Sequence, residues 1–439
     1  MTNRHSFGRA LRGTTTILFA IATSAAPGAA QSLARRIASA SDGRVQFNFP
    51  ARSGVCGNGK SYIQTGPNSY SGSWTGSFED SRRTDPCVAG PVRVVVDRAD
   101  RTVISLQTYV GPPNVEPGTT DLGAVRPAEA VDYLLSLARD AEGRVGRDAI
   151  MPAMLADNVD ASDDLLAIGR DATRPRETRR AALSWLGQTA GSEGVVPSRV
   201  TDALLQIARD ETDNMDVRRS ALGVLSRLDH GAGIPPLIQL ARANLNGDRT
   251  WLSKEALSAL ARSGDPRARD FLRSVVQRGD VADDVLYTAI RGLGTEYATG
   301  RDADLLRQLY PKLTGDRSRD AVLSVLAEIG GTENTRWLLG VARDESTPIT
   351  SRRRALSYAS RAGVPMADLV RLYDTTTDPQ MKDALIGLYA QSGDRMAVDK
   401  LLAIAKSDEN PNIRRRTIAQ LSRSDDPRVK EFLKDLIER

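Results

Sequence analysis

A six-residue hydrophobic phrase returns along this chain often enough to decide what it can fold into. It reads Leu165-Leu166-Ala167-Ile168-Gly169-Arg170, then Leu204-Leu205-Gln206-Ile207-Ala208-Arg209, Leu237-Ile238-Gln239-Leu240-Ala241-Arg242 and Leu401-Leu402-Ala403-Ile404-Ala405-Lys406. Weaker versions start at Leu134, Leu272, Leu305, Leu338 and Leu369, so that successive starts lie 31, 39, 33, 35, 33, 33, 31 and 32 residues apart. Periods of this size belong to helical hairpins that cannot bury an apolar face alone and stack on one another to do so. The chain is therefore read as mainly α, with a solenoid of about nine helical-hairpin repeats and a C-terminal capping helix over residues 127–439.

Residues 1–30 have the layout of a cleaved export signal. Arg4, Arg9 and Arg12 make a basic start, Ile17 to Ala26 a short apolar core, and Gly28-Ala29-Ala30 a small-residue cleavage site. The apolar run falls short of the roughly 20 residues a bilayer span needs. The expectation is a bacterial protein cleaved near Ala30, periplasmic or secreted, with no integral membrane segment afterwards. Loss of three Arg leaves 57 basic residues against 55 acidic ones. A net charge of +2 in an exported chain gives no footprint for nucleic acid.

Residues 31–111 are read as a small β-rich domain. Val45, Phe47 and Phe49 alternate as on a half-buried strand, and Val92 to Val110 reads as a hairpin turning over Arg98-Ala99-Asp100-Arg101. Tyr62, Tyr70, Trp74 and Phe78 supply one or two further strands between Gly-rich turns. The two cysteines of the chain, Cys56 and Cys87, both lie here, and an even count in an exported chain favours a disulfide. The proline-rich segment 112–126 is read as a linker to the first repeat helix.

Gly54-Val55-Cys56-Gly57-Asn58-Gly59-Lys60-Ser61 matches the pattern of a phosphate-binding loop. Such a loop must open a helix whose amides face the anion. Here Tyr62-Ile63-Gln64-Thr65 follows, which reads as strand, so nucleotide binding is set aside.

Each repeat carries a second helix, best seen in Val217-Arg218-Arg219-Ser220-Ala221-Leu222-Gly223-Val224-Leu225 and Ile413-Arg414-Arg415-Arg416-Thr417-Ile418-Ala419-Gln420-Leu421. This phrase, preceded by acidic or Pro-bearing turns such as Asp213 to Asp216, resembles the HEAT repeat family, and most closely the HEAT-like subtype of phycobilisome lyases and bacterial scaffold proteins. The resemblance implies an α-solenoid that binds proteins. Its second-helix Arg falls on Arg179, Arg218, Arg352 and Arg414, with Lys382 as a substitute, while the units around Leu252 and Val285 lack it. A continuous Arg ladder is therefore in doubt across the middle.

Catalysis has little to draw on. After cleavage His230 is the one remaining His, next to Gly231 at the end of a second helix, where a capping or surface role is expected. Asp163-Asp164 and Asp283-Asp284 stand where first-turn acids complement a helix dipole. The chain is read as a binding protein without cofactor or metal. Partner contacts are expected on a concave face lined by second helices, through Arg180, Arg219, Arg353, Arg415, Trp185 and Tyr358, because Arg and aromatic side chains dominate interface energetics. Two other readings are an envelope component anchored through the β-domain and, by the family resemblance, a bilin lyase.

Overall fold

The computed structural model describes residues 32–66, 69–72, 86–112, 117–189, 198–246 and 250–438, in two compact units that meet in sequence at Tyr133/Leu134. The expected signal segment, Trp74, Phe78, residues 113–116 and the Gly191–Gly194 insertion lie outside the described residues.

The N-terminal unit holds two sheets. One is ordered β6-β5-β1-β7, from β1 (Gly43–Phe49), β5 (Val92–Ala99), β6 (Thr102–Val110) and β7 (Thr119–Ala124); the other is β2-β3-β4, from β2 (Cys56–Gly57), β3 (Tyr62–Gly66) and β4 (Ser69–Gly72). The alternation read in the sequence puts Val45, Phe47 and Phe49 in the core at 0% exposure, with Val92, Val94 and Val96 beside them from the antiparallel partner β5. Each such side chain contributes about 1.5–3 kcal/mol by leaving water. The β5–β6 turn narrows to Asp100-Arg101, both at positive φ. Two left-handed residues in succession match the twist of a two-residue hairpin.

The linker reading of 112–126 is corrected. Thr119–Ala124 run parallel to β1, with Thr120 opposite Val45, and form one edge of the sheet. Prolines mark only the start of this segment, and the strand itself is largely polar, with none of its residues buried. Its identity comes from a partner some 75 residues away in sequence, through backbone bonds that leave no side-chain pattern. The helix Leu33–Ser39 adds Leu33 and Ile37 to the same core, and Leu33 N–H donates to Glu129 at 2.6 Å. Burial pushes the Tyr133 hydroxyl up to about 12, against the opposing pull of Arg98.

Cys56 and Cys87 are joined, their Cα atoms 5.3 Å apart across 31 residues of chain. Gly57 is bridged to Val88 beside the bond, so the disulfide closes a loop between a two-residue strand and an isolated bridge. Replacing both cysteines by alanine is expected to cost about 3–4 kcal/mol, the closure entropy of a loop this long. Amide exchange of β1 and β5 in the oxidised protein and the double variant measures it. Equal protection in both would show that the sheets hold without the staple.

In the second unit every start of the repeated phrase falls on a helix followed by a second helix. The first helices include Ser162–Arg170, Ser198–Arg209, Ile234–Arg242, Pro266–Val276, Gly300–Leu309, Thr332–Arg343, Met366–Thr375 and Arg395–Ser407. The second helices are Arg144–Met154, Arg176–Thr189, Met215–Leu225, Trp251–Arg262, Asp283–Leu293, Asp316–Ile329, Ile349–Arg361, Pro379–Ser392 and Pro411–Leu421, and each packs on the next. Ala182-Leu183, Ala221-Leu222, Ala256-Leu257 and Ala355-Leu356 are buried to 1% exposure or less, the small residue letting neighbouring helices approach. In the unit of Leu305 the fully buried position is its neighbour Leu306. Helix starts follow the sequence signals: Asp265, Asp378 and Asn410 cap helices whose first residue is proline. The helix Pro427–Glu438 ends the described chain and rests on Arg395–Ser407.

Candidate functional site

The second-helix Arg residues are structural clamps. The Arg179 Nε–H donates to Gly169 O at 3.0 Å, satisfying a carbonyl at the end of the first helix of its own unit. Its two terminal nitrogens reach the next unit and grip Asp213 at 2.6 and 2.5 Å, with both side chains buried. Arg218 and Arg352 repeat the first bond, to Ala208 O and Ala342 O, both at 3.1 Å. Beyond it they differ: Arg218 lies over the Trp251 ring at 4.3 Å, and Arg352 approaches Asp378 at 3.7 Å. Arg414 donates to Asp408 O at 2.5 Å, and Lys382 reaches Asp408 Oδ2 at 3.2 Å. The ladder is interrupted where the sequence indicated. Ser253 holds the place of Arg218 in its unit and keeps only the carbonyl bond, to Ala241 O at 2.8 Å.

Just past that gap a buried ion cluster ties first helices together. Asp302, at 0% exposure, accepts from Arg269 Nε at 2.9 Å, from Arg273 Nε at 2.7 Å, and from Thr299 through N–H at 2.8 Å and hydroxyl at 2.7 Å. Burial alone would raise its pKa. The hydrogen bonds from Arg273, Thr299 and Arg269 outweigh that and hold it below the usual carboxylate range. Sequence reading missed this cluster. The visible signal was the Thr299-x-x-Asp302 capping box.

The outer face of the second-helix row is laced between units. Arg176 meets Asp216 at 3.2 Å, Arg180 meets Ser220 at 3.3 Å, Arg219 meets Glu255 at 2.9 Å, and Arg291 meets Glu328 at 2.8 Å. Of the six residues expected to contact a partner, Arg180 and Arg219 belong to this lacing. The hydrogen bond that Arg219 donates to Glu255 raises the pKa of Arg219. Arg415 bonds Asn412 one turn back at 2.5 Å. Tyr358 is half-buried, with its hydroxyl 3.4 Å from Asp320 and Arg361 over its ring at 4.5 Å; Trp185 is half-buried on the helix of Arg180. Arg353 is exposed. The six fall on four helices spread along the row, and the row brings no more than two of them onto any one helix.

His230 sits in a short turn at φ 54°, exposed, with Asp229 and Gly231 beside it. Asp163, Asp164, Asp283 and Asp284 occupy first turns and also tie units together: Asp164 to Arg139 at 2.6 Å, and Asp283 to Ser318 at 2.7 Å. Among the described residues no group of three or more His, Cys, Asp or Glu could hold a metal, and no helix is long and apolar enough to cross a membrane. The loop that imitates a phosphate site is filled by its own side chain. Asn58 Oδ1 accepts the amides of Lys60, Ser61 and Tyr62 at 3.0–3.1 Å, and β3 follows where a helix would be needed.

The model of the HEAT repeats family matches residues 201–294 and 366–439, two stretches of paired helices joined by the clamps described above. These regions are HEAT repeats. The chain is also similar to solved structures. Human deoxyhypusine hydroxylase in complex with glycerol is 21% identical over 53% of this chain and 92% of its own, with TM-score 0.26. Kap95p, bound to RanGDP in a study of nuclear import complex assembly, is 13% identical over 70% and 45%, with TM-score 0.39. The CpcE and CpcF complex of phycocyanin lyase from Nostoc is 16% identical over 59% and 92%, with TM-score 0.27. No curated protein matches the sequence.

Proposed function

We propose that this protein is an exported protein-interaction scaffold that binds its partner along the row of second helices. The observation that carries the reading is the row itself. Nine helices from Arg144 to Leu421 pack each on the next. Buried clamps and surface pairs between units hold its side chains in fixed positions before any partner arrives. Such preorganisation lowers the ordering cost of association. Arg353 and Arg415 offer guanidinium groups on the second helices, and Trp185 and Tyr358 stand half-buried beside them on the same row. The HEAT repeats support a binding role, and the scarcity of His and Cys supports a role without chemistry of its own.

The test places a photo-reactive residue at Arg180 or Arg415 on second helices, and at Arg336, exposed on a first helix, as the contrast. The expected result in intact cells is one discrete adduct from the second-helix positions, lost when Arg353→Glu is added, on a chain whose N-terminus is Gln31. Equal adducts from Arg336, or a chain that keeps residues 4–30 in the cytosol, would count against the reading.

A further inference from the structure

One repeat lacks the acid that its clamp was built to hold. The segments Ala208-Arg209-Asp210-Glu211-Thr212-Asp213 and Ala342-Arg343-Asp344-Glu345-Ser346-Thr347 end two first helices, Ser198–Arg209 and Thr332–Arg343, in the same way. In both, the Asp accepts from the amide and the hydroxyl two residues on: Asp210 from Thr212 at 3.0 and 2.6 Å, Asp344 from Ser346 at 3.0 and 2.6 Å. The preceding second helices also correspond, Thr178-Arg179 with Ser318-Arg319, and Thr178 and Ser318 are both at 0% exposure. Where Asp213 closes on Arg179, however, the chain places Thr347, whose hydroxyl donates back to Asp344 at 2.8 Å. Arg319 is half-buried and has no ion pair, hydrogen bond or ring partner among the described residues. The nearby carboxylate of Asp344 is engaged by Ser346 and Thr347.

The space beside Arg319 is open. A cavity of about 540 Å³ lies between the first helices Gly300–Leu309 and Thr332–Arg343 and the turn that follows them. Its wall combines the Arg319 guanidinium with Pro311, Trp337, Val341 and Pro348, and Asp344 lines its rim with both carboxylate oxygens turned to Ser346 and Thr347. Tyr310 braces Trp337 edge to face, with ring centroids 5.2 Å apart, so the indole is fixed in place. A half-buried guanidinium that no carboxylate pairs with directly, set against an aromatic wall, suits a carboxylate carried on an apolar stem. The other basic residue in the wall, Arg307, is already satisfied by Glu333 at 2.9 Å and Asn334 at 2.6 Å.

We infer that this cavity binds an acidic side chain of a partner peptide, which takes the position that Asp213 fills in the earlier repeat. The carboxylate pairs with Arg319, and an adjacent apolar residue of the peptide packs on Trp337. The inference goes beyond the second-helix row and stands whether or not that row binds.

The test uses a blocked tripeptide of leucine, glutamate and leucine, with the glutamine version as control, and follows the indole N–H signal of Trp337 in the full chain. Binding of the glutamate peptide at least tenfold tighter than the glutamine peptide is expected. Arg319→Gln removes that preference. Thr347→Asp supplies the missing acid internally, so it raises the melting temperature and weakens the glutamate peptide at least tenfold. Arg353→Glu leaves the peptide unaffected, which separates this site from the second-helix row. Equal binding of the two peptides would overturn the inference, as would Thr347→Asp leaving both melting temperature and peptide affinity unchanged.

Discussion

Replacing Asp302 by alanine is expected to cost about 3–5 kcal/mol, the penalty for removing one partner from a buried ion cluster. The loss is large because Arg269 and Arg273 stay behind with side chains only 10% and 13% exposed, and because Thr299 loses the acceptor for both its amide and its hydroxyl. Asn at the same place keeps an acceptor but removes the charge, so Asp302→Asn falls between wild type and alanine. Each repeat touches mainly its neighbours, so the damage stays local at first. Hydrogen exchange should show the helices Pro266–Val276 and Gly300–Leu309 opening before the ends of the stack.

The same carboxylate makes stability depend on acid. Its folded pKa lies below that of an ordinary aspartate. A depressed carboxylate contributes stability that is present above the unfolded pKa and is lost as pH falls through the folded one. Wild type should therefore lose more stability than Asp302→Asn between pH 5 and the acid side of pH 3.8. Parallel denaturant curves at the two pH values measure this, and curves that shift equally would remove Asp302 from the account.

Asp213→Ala is expected to cost a similar amount, about 3–5 kcal/mol, because it strands the Arg179 guanidinium in a buried site. Arg179 keeps its bond to Gly169 O, and loses the two short bonds that cross to the next unit. Leucine at both positions removes charge and partner together, and buried pairs replaced in this way are often near neutral. The double-mutant cycle should then show strong non-additivity, with Arg179→Leu/Asp213→Leu far more stable than the two single losses add up to. Additive costs would mean that the two residues act independently, and that the clamp does not bind one repeat to the next.

The repeat architecture was legible before any coordinates. Apolar side chains at helical spacing report which face of a helix leaves water, and the return of one phrase every three dozen residues or so reports that such faces stack. The pairing of Cys56 with Cys87 was legible from their number, and the dismissal of the phosphate loop from the strand residues after Lys60. The second-helix Arg positions were legible as a ladder with gaps. Their destinations were not, because a guanidinium on a flexible stem can reach solvent, a helix end or the next unit, and sequence spacing does not choose among these.

Strand β7 and the Asp302 cluster mark the other limit. Thr119–Ala124 is polar and carries no alternation, and becomes a strand only because β1 offers it a free edge. Asp302 reads in sequence as one more acid near a helix start, and its burial depends on how closely two neighbouring first helices approach. Arg319 differs from Arg179 in having Thr347 where the following turn of the earlier repeat has Asp213, a difference that matters only once the stack brings that turn against it. The sequence by itself determined which segments are helices, where each repeat begins and which cysteines pair, since these follow from local apolar period and composition. The tertiary structure alone decided which charges are buried, which guanidinium lacks a partner and where a cavity opens, since these depend on distances between segments far apart along the chain.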